Sequence, residues 1–331
     1  MQPIWVGSET PRVFRLEGDT LTEATEAGRP SFLAEHPSGQ RVYAVDEGDP
    51  GGVAAFAVEG GSLHRTGEAG SGGSGPCHLL VHPDGRWLYV SNYGDGTATA
   101  IALDAEGDLT LDRVELAHSG SGPQQDRQDG AHAHSATLSP GGGWLIVADL
   151  GTDELRAYPL QDGRPVGDPV LSAMPAGSGP RHTAVAGDLV YVAGELSCEV
   201  VTVRWHEDSG RAEVLGSVGV TTAPVRSGEE STLSHLELLG PTALVVGVRG
   251  ADTLAVVGIG EDGVASALRA EVPTVAWPRH LCVVDDTVLV AGERADQIGV
   301  HPVRAAGESI AVGEVTRTIA AATPMCLLPT R

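Results

Sequence analysis

The chain has no run approaching the roughly 20 apolar residues that a membrane-spanning helix requires. Its first residues, Met1-Gln-Pro-Ile-Trp-Val-Gly, carry neither the basic start nor the apolar stretch of a secretory signal, so a cytoplasmic location is expected. Cysteine is scarce. Cys77, Cys198, Cys282 and Cys326 lie far apart and form no C-x-x-C pair, which argues against a zinc site or a disulfide scaffold. Each lies in or beside an apolar run, where a free thiol behaves as a small hydrophobe. Basic residues are few as well: 21 face 44 acidic ones, for a formal net charge of −23. Nucleic acid and anionic membrane both need a basic surface and are not expected partners. An anionic small molecule would have to find a local island of positive charge. Neither an EF-hand loop nor an H-E-x-x-H motif is present, and no cofactor is expected.

What the chain does have is a weak repeat. A polar residue, often histidine, opens a short apolar run; a turn follows; a second apolar run ends in a small residue and then a charged or aromatic one. The clearest copy is His78-Leu-Leu-Val-His82-Pro-Asp-Gly-Arg-Trp-Leu-Tyr-Val-Ser-Asn92-Tyr93-Gly. Others begin at Phe32, His134, His182, His235 and His280, at separations of 46, 56, 48, 53 and 45 residues. Those periods match β-propeller blades. Forty-five glycines and 21 prolines among short Val/Ala/Leu runs suit strands joined by tight turns.

Each unit reads as four strands; in the third blade these are 78–82, 87–91, 97–103 and 109–116. Copies of the second strand at 41–45, 144–148, 189–193, 243–247 and 288–291 are small and β-branched, as expected between packed blades. Asp153, Asp252 and Asp296 recur just after it and are expected to serve turn geometry. Six copies leave two fragments: strands at Ile4–Gly7 and Val13–Leu16 without an inner partner, and a lone apolar strand at Pro324–Pro329. Together they make a further blade that closes the ring and removes its exposed edges. The expectation is an all-β, seven-bladed β-propeller forming a single domain over residues 1–331, as a monomer or weak dimer.

Two irregular segments stand out. Gly70–Gly75 resembles a phosphate loop only in composition, since no helix follows, and reads as a flexible connector. The segment His118–Ala133 is long enough to suggest function, and carries Arg127, Gln128 and His132 into the fourth blade.

In a propeller the first strand of each blade lines the channel and the second returns antiparallel to it. The start of one and the end of the other therefore share a mouth. Hairpin symmetry pairs Arg181 with Glu195, His235 with Arg249, and Arg279 with Glu293. The strand-start ring is Phe32, His78, His134, His182, His235 and His280; five of the chain's twelve histidines occupy one repeat position. The strand-end ring is Glu47, Tyr93, Leu150, Glu195, Arg249 and Glu293. A strand-capping role explains a single such histidine. The group makes a polar, titratable mouth.

Several phrases resemble the seven-bladed propeller lactonases, the family of propeller-type 6-phosphogluconolactonases and carboxy-cis,cis-muconate cyclases. They are Asp126-Arg-Gln-Asp-Gly-Ala-His132-Ala-His134-Ser, Gly179-Pro-Arg-His182, Gly194-Glu195-Leu, Val248-Arg249-Gly and Trp277-Pro-Arg-His280. The resemblance spans the chain. It departs where relatives carry Asn-Glu against Gly194-Glu195 here, and Ser-Asn-Arg against Gly247-Val248-Arg249.

By motif, the resemblance implies a catalytic group of His134, Arg181, Glu195 and Arg249. These suit lactone opening, which needs a base for water and a cation where charge grows on the carbonyl oxygen. The base is His132, His134 or Glu195. The substrate-binding residues expected around them are His132, His182, His235, Arg279, His280, Glu293, Tyr93 and His78, with no metal. The implied activity is hydrolysis of an anionic sugar lactone, 6-phosphogluconolactone first, and the partner is that small molecule. The alternatives are a muconate-type cyclase, run in either direction, and a non-enzymatic binding scaffold, since fold alone does not fix function.

Overall fold

The computed structural model describes residues 2–228, 230–306 and 309–330. Among them are strands and a single 3₁₀ turn at Glu293–Ala295, and no α-helix. The strands form seven antiparallel sheets arranged as blades. No helix is long and apolar enough to cross a membrane.

The chain ends share the first blade, as the fragments require. Pro324–Pro329 pairs with Ile4–Ser8, in register Ile4↔Pro329 to Gly7↔Cys326, and Arg12–Glu17 and Thr20–Glu26 complete the sheet. Alternation along Ile4–Ser8 sends neighbouring side chains to opposite faces. Ile4 and Val6 pack with Cys282, Leu289 and Ile298 of the seventh blade, while Trp5 packs with Leu33, Val42 and Phe56 of the second. Fully burying such side chains contributes roughly 1.5–3 kcal/mol each, so closure has a substantial hydrophobic component.

A repeated latch joins several blades at their outer halves. Tyr43, Tyr89 and Tyr191, each third in its second strand, donate their hydroxyls to the carbonyls of Gly107, Gly163 and Gly263 in the following blade. The fourth blade has Ile146 there, and Trp144 instead donates its Nε1–H to Glu207 O. The recurring aspartates do serve the turns: Asp153, Asp252 and Asp296 all have φ between 51° and 55°. Asp153 also accepts from the backbone N–H of Gly177 and Gly179.

Within Gly70–Gly75, residues 71–73 pack closely against their neighbours. Ser71 is fully buried, and a Cβ on Gly73 would stand 2.3 Å from Thr97 Oγ1 and within 3 Å of Asn92. Its glycines permit close approach to the next blade, which composition alone does not distinguish from flexibility.

The feature that builds the site is a one-residue register shift near the start of the inner strand in blades three to seven. It falls between Pro76 and His78, Ala133 and Ser135, Pro180 and Thr183, Leu233 and Leu236, and Pro278 and His280. A bulge breaks strand alternation, so adjacent residues can both face the axis. The register also differs from all three hairpin pairings expected from symmetry: Gly194 lies opposite Pro180, Gly292 opposite Pro278, and Arg249 opposite Thr232 and not His235.

Candidate active site

Two cavities lie along the channel. One, of about 170 Å³, is lined by Glu47, Cys77, Tyr93, Arg127, His134, Arg181, Glu195, Arg249 and Arg279. The other, of about 320 Å³, includes Phe32, Glu35, His78, His235, Glu237 and His280 in its wall. Between them lies a layer of rings. Phe32 and His78 stand 4.4 Å apart, His78 and His182 5.3 Å, His134 and His182 5.4 Å, His182 and His235 4.9 Å, and His235 stacks on His280 at 4.1 Å. The bulges sort consecutive residues between these levels: Cys77, Arg181 and Arg279 line the smaller cavity, while His78, His182 and His280 enter the ring layer.

Glu195 is the hub of the smaller cavity. Its Oε2 accepts from Arg181 at 2.5 Å and lies 3.0 Å from Arg249, and its Oε1 accepts from Arg127 at 2.6 Å. It is 1% exposed. Burial alone would raise its pKa, but Arg249 and Arg181, with His134 and Arg127, hold it well below the usual carboxylate range. A carboxylate so neutralised is a weak base.

Arg181 Nη1 also lies 2.6 Å from His134 Nε2. A guanidinium has no acceptor, so Nε2 accepts and the imidazole is neutral, with its proton on Nδ1. Burial, then Arg181, hold His134 well below its ordinary pKa, with Glu195 pulling the other way. Burial lowers Arg249 to about 9 despite the pull of Glu195, and the neighbouring Arg181, Arg279 and Arg127 add to the effect. Positive charge is crowded here, and a bound anion would relieve it. The Nε–H groups of Arg181 and Arg249 are buried without a partner, so each has a donor to give.

Arg127 reaches in from the long segment before the fourth blade. It also contacts the Tyr93 hydroxyl at 3.3 Å. That segment is pinned by Gln128, fully buried, which donates to Leu150 O and Asp153 Oδ1. His132 lies behind Tyr93. It stacks on that ring at 4.5 Å and donates its Nδ1–H to Tyr93 O, so it positions the tyrosine and does not line the cavity. Arg279 lines the cavity with Glu293 3.9 Å away.

The structure thus brings His134, Arg181, Glu195, Arg249, Arg279 and Tyr93 to one cavity, with Glu293 beside Arg279. It places His182 in the ring layer and His78, His235 and His280 on the other cavity. Sequence reasoning left Arg127, Glu47 and Cys77 out of the candidate site. Arg127 comes from a loop whose reach no periodicity encodes, whereas Glu47 already occupied a ring position, Cys77 directly precedes one, and both could have been included. Burial pushes the Cys77 thiol up to about 12, which disfavours the thiolate a nucleophile would need. Among the described residues no group of three or more His, Cys, Asp or Glu side chains could hold a metal ion.

Comparison with known proteins agrees with this architecture. A family model described as "Lactonase, 7-bladed beta-propeller" matches residues 10–329. A Bacillus subtilis (strain 168) protein named 6-phosphogluconolactonase is 29% identical over 292 residues, covering 85% of this chain and 82% of that one. An uncharacterized Staphylococcus epidermidis protein is 30% identical over 263 residues, 76% of this chain and 75% of its own. The crystal structure of a Lactobacillus plantarum protein superposes with TM-score 0.88 at 26% identity, over 99% of this chain and 98% of that one. The structure of a Pseudomonas aeruginosa periplasmic gluconolactonase superposes with TM-score 0.86 at 24% identity, over 100% and 99%, a likeness of fold. Since the family model covers nearly the whole chain, the protein belongs to the seven-bladed β-propeller lactonases and is an enzyme of that kind.

Proposed function

We propose that the enzyme hydrolyses an anionic sugar lactone, with 6-phosphogluconolactone as substrate and 6-phosphogluconate as product. The observation that carries this reading is the arginine cluster around Glu195, buried in a chain whose net charge is −23. Such a concentration of cations at one cavity suits an anionic ligand, and Arg is the residue suited to forked contacts with phosphate and carboxylate. The name of the Bacillus subtilis relative supports the particular lactone. The reading puts the enzyme in the cytoplasm.

In this mechanism His134 is the base, because among the described residues it is the one imidazole that lines the cavity. Arg181 turns an N–H from His134 Nε2 to the lactone carbonyl oxygen, which frees the lone pair as the substrate arrives. Water attacks the carbonyl carbon and its proton passes to Nε2. The tetrahedral oxyanion is held by Arg181 and Arg249. Collapse breaks the bond to the ring oxygen, which takes the proton back from Nε2, and a hydroxy acid leaves. Glu195 stays ionised and holds the arginines in place.

The test is hydrolysis of 6-phosphogluconolactone and of a carboxylated muconolactone by purified protein, each corrected for spontaneous opening. The reading expects clear turnover of the sugar lactone. No rate above background on it would overturn the assignment, and turnover of the muconolactone alone would favour the cyclase alternative.

A further inference from the structure

Asp149 is a buried carboxylate that the mechanism does not use. It ends the second strand of the fourth blade, and its side chain and that of His118 are both fully buried. His118 donates its Nδ1–H to Asp149 Oδ2 at 2.6 Å. Asp149 Oδ1 accepts from the backbone N–H of His132 at 2.9 Å, and from those of Gly151 and Thr152. His118 and His132 flank the loop of residues 119–131, so one carboxylate ties both of its ends. Arg156 adds a second tie: its Nε lies 3.7 Å from Asp149 Oδ2, and its Nη2 donates to Ser119 O at 2.6 Å.

A surface loop whose ends meet can act as a unit, and this one carries Arg127 into the cavity. The turn that bears it is braced: the N–H of Arg127 donates to Gln124 O at 3.0 Å, and Gln124 Nε2 donates to Gly177 O at 2.9 Å. Arg127 in turn donates to Glu195 Oε1 at 2.6 Å. Asp149 itself does not line the cavity. We infer that Asp149, with His118 as its donor, is a positioning residue that closes the base of this loop and thereby fixes Arg127 against Glu195. Its effect on the reaction passes through Arg127. A misplacement of about 1 Å in such a group can cost about 10²-fold in rate. The inference rests on the lactonase reading above for the reaction that reports it.

The experiment is a double-mutant cycle on the full chain, with kcat and KM for 6-phosphogluconolactone measured beside the melting temperature. The variants are Asp149→Ala, Asp149→Asn, Arg127→Ala, and Asp149→Ala combined with Arg127→Ala. Folded Asp149→Ala should lose about 10- to 100-fold in kcat/KM. Asp149→Asn keeps an acceptor for the His132 N–H and should recover part of that loss. Once Arg127 is absent, Asp149→Ala should cost less than about 3-fold, because coupled residues do not add. A carboxylate that serves stability alone lowers the melting temperature and leaves the kinetics of the folded enzyme unchanged. Parental kinetics in folded Asp149→Ala therefore overturn the inference, as does an equal loss with and without Arg127.

Should Asp149→Ala not fold, His118→Ala and His118→Asn decide in the same two backgrounds. Alanine removes the donor to Asp149 Oδ2 and asparagine returns one, so a loss that asparagine partly restores, and that vanishes without Arg127, supports the inference. Parental kinetics in both His118 variants overturn it. Hydrogen exchange separates this inference from the lactonase reading. The amides of Arg127, Gln128 and His132 should exchange at least about 10-fold faster in Asp149→Ala or His118→Ala, while those of Tyr191 and Val192 in the fifth blade keep their protection. A parent with no turnover defeats the lactonase reading. Unchanged exchange at the three loop amides defeats this inference alone.

Discussion

His182 and His235 meet through like atoms: their Nδ1 nitrogens are 2.6 Å apart. One must donate and the other accept, so at least one of the pair is neutral, and a proton added to the acceptor would leave two donors facing each other. Burial holds His182 well below its ordinary pKa, with His235 and Arg181 adding to it, and burial does the same to His134 and His280.

Stability should therefore fall in mild acid. Once unfolded, these histidines regain pKa values near 6.5, so below that pH the unfolded chain binds protons that the native ring layer refuses. The contribution is fully present above about pH 6.5 and is lost as pH drops, by up to about 1.4 kcal/mol per pH unit for each histidine. The depressed carboxylate of Glu195 acts only below the ordinary carboxylate range, so the two effects separate. Melting temperature measured from pH 7.5 to pH 5 checks this, and a flat profile contradicts it.

Glu195→Gln should damage the fold before the rate can be read. The change leaves Arg127, Arg181 and Arg249 crowded around a neutral amide, and removing one partner from a buried charge cluster costs about 3–5 kcal/mol. Denaturant unfolding should show a large loss; a variant as stable as the parent would mean that the arginines do not depend on this carboxylate.

His134→Ala and Arg249→Ala should each reduce turnover by about 10²-fold or more, the scale for a general base and an oxyanion donor. His235→Ala, on the far cavity, should reduce it far less and lower the melting temperature instead. Kinetics with folded variants decide: near-normal turnover in the first two removes them from the mechanism.

Deleting residues 324–331 should lower the melting temperature by about 10 °C or more. The strand buries Met325, Cys326 and Leu327, and its loss uncovers Ile4 and Val6 on the closing blade. Differential scanning calorimetry of the truncated chain checks it.

The blades were legible because the first two strands of each recur with the same polar start and small-residue end, and because Ile4–Leu16 lacks an inner strand that Pro324–Pro329 supplies. The cluster at Glu195 was legible for the same reason, as strand starts and ends share a mouth. The heights of the side chains were not. A bulge adds one residue without changing the pattern of residue types, so the neighbours Arg181 and His182 both face the axis, one lining the smaller cavity and the other entering the ring layer. Arg127 was hidden for another reason: its position depends on Gln128 anchoring the loop, a tertiary contact with no periodic trace.

The ring layer lies across the axis of the propeller, between the smaller cavity and the larger one. In the proposed reaction, arrivals and departures therefore use the same mouth. Ring opening unmasks a carboxylate, so the molecule leaving carries one more negative charge than the molecule it must pass. In the proposed mechanism the leaving acid competes with the next lactone for the same arginines, and the acidic exterior of the chain favours its escape once it is clear of them.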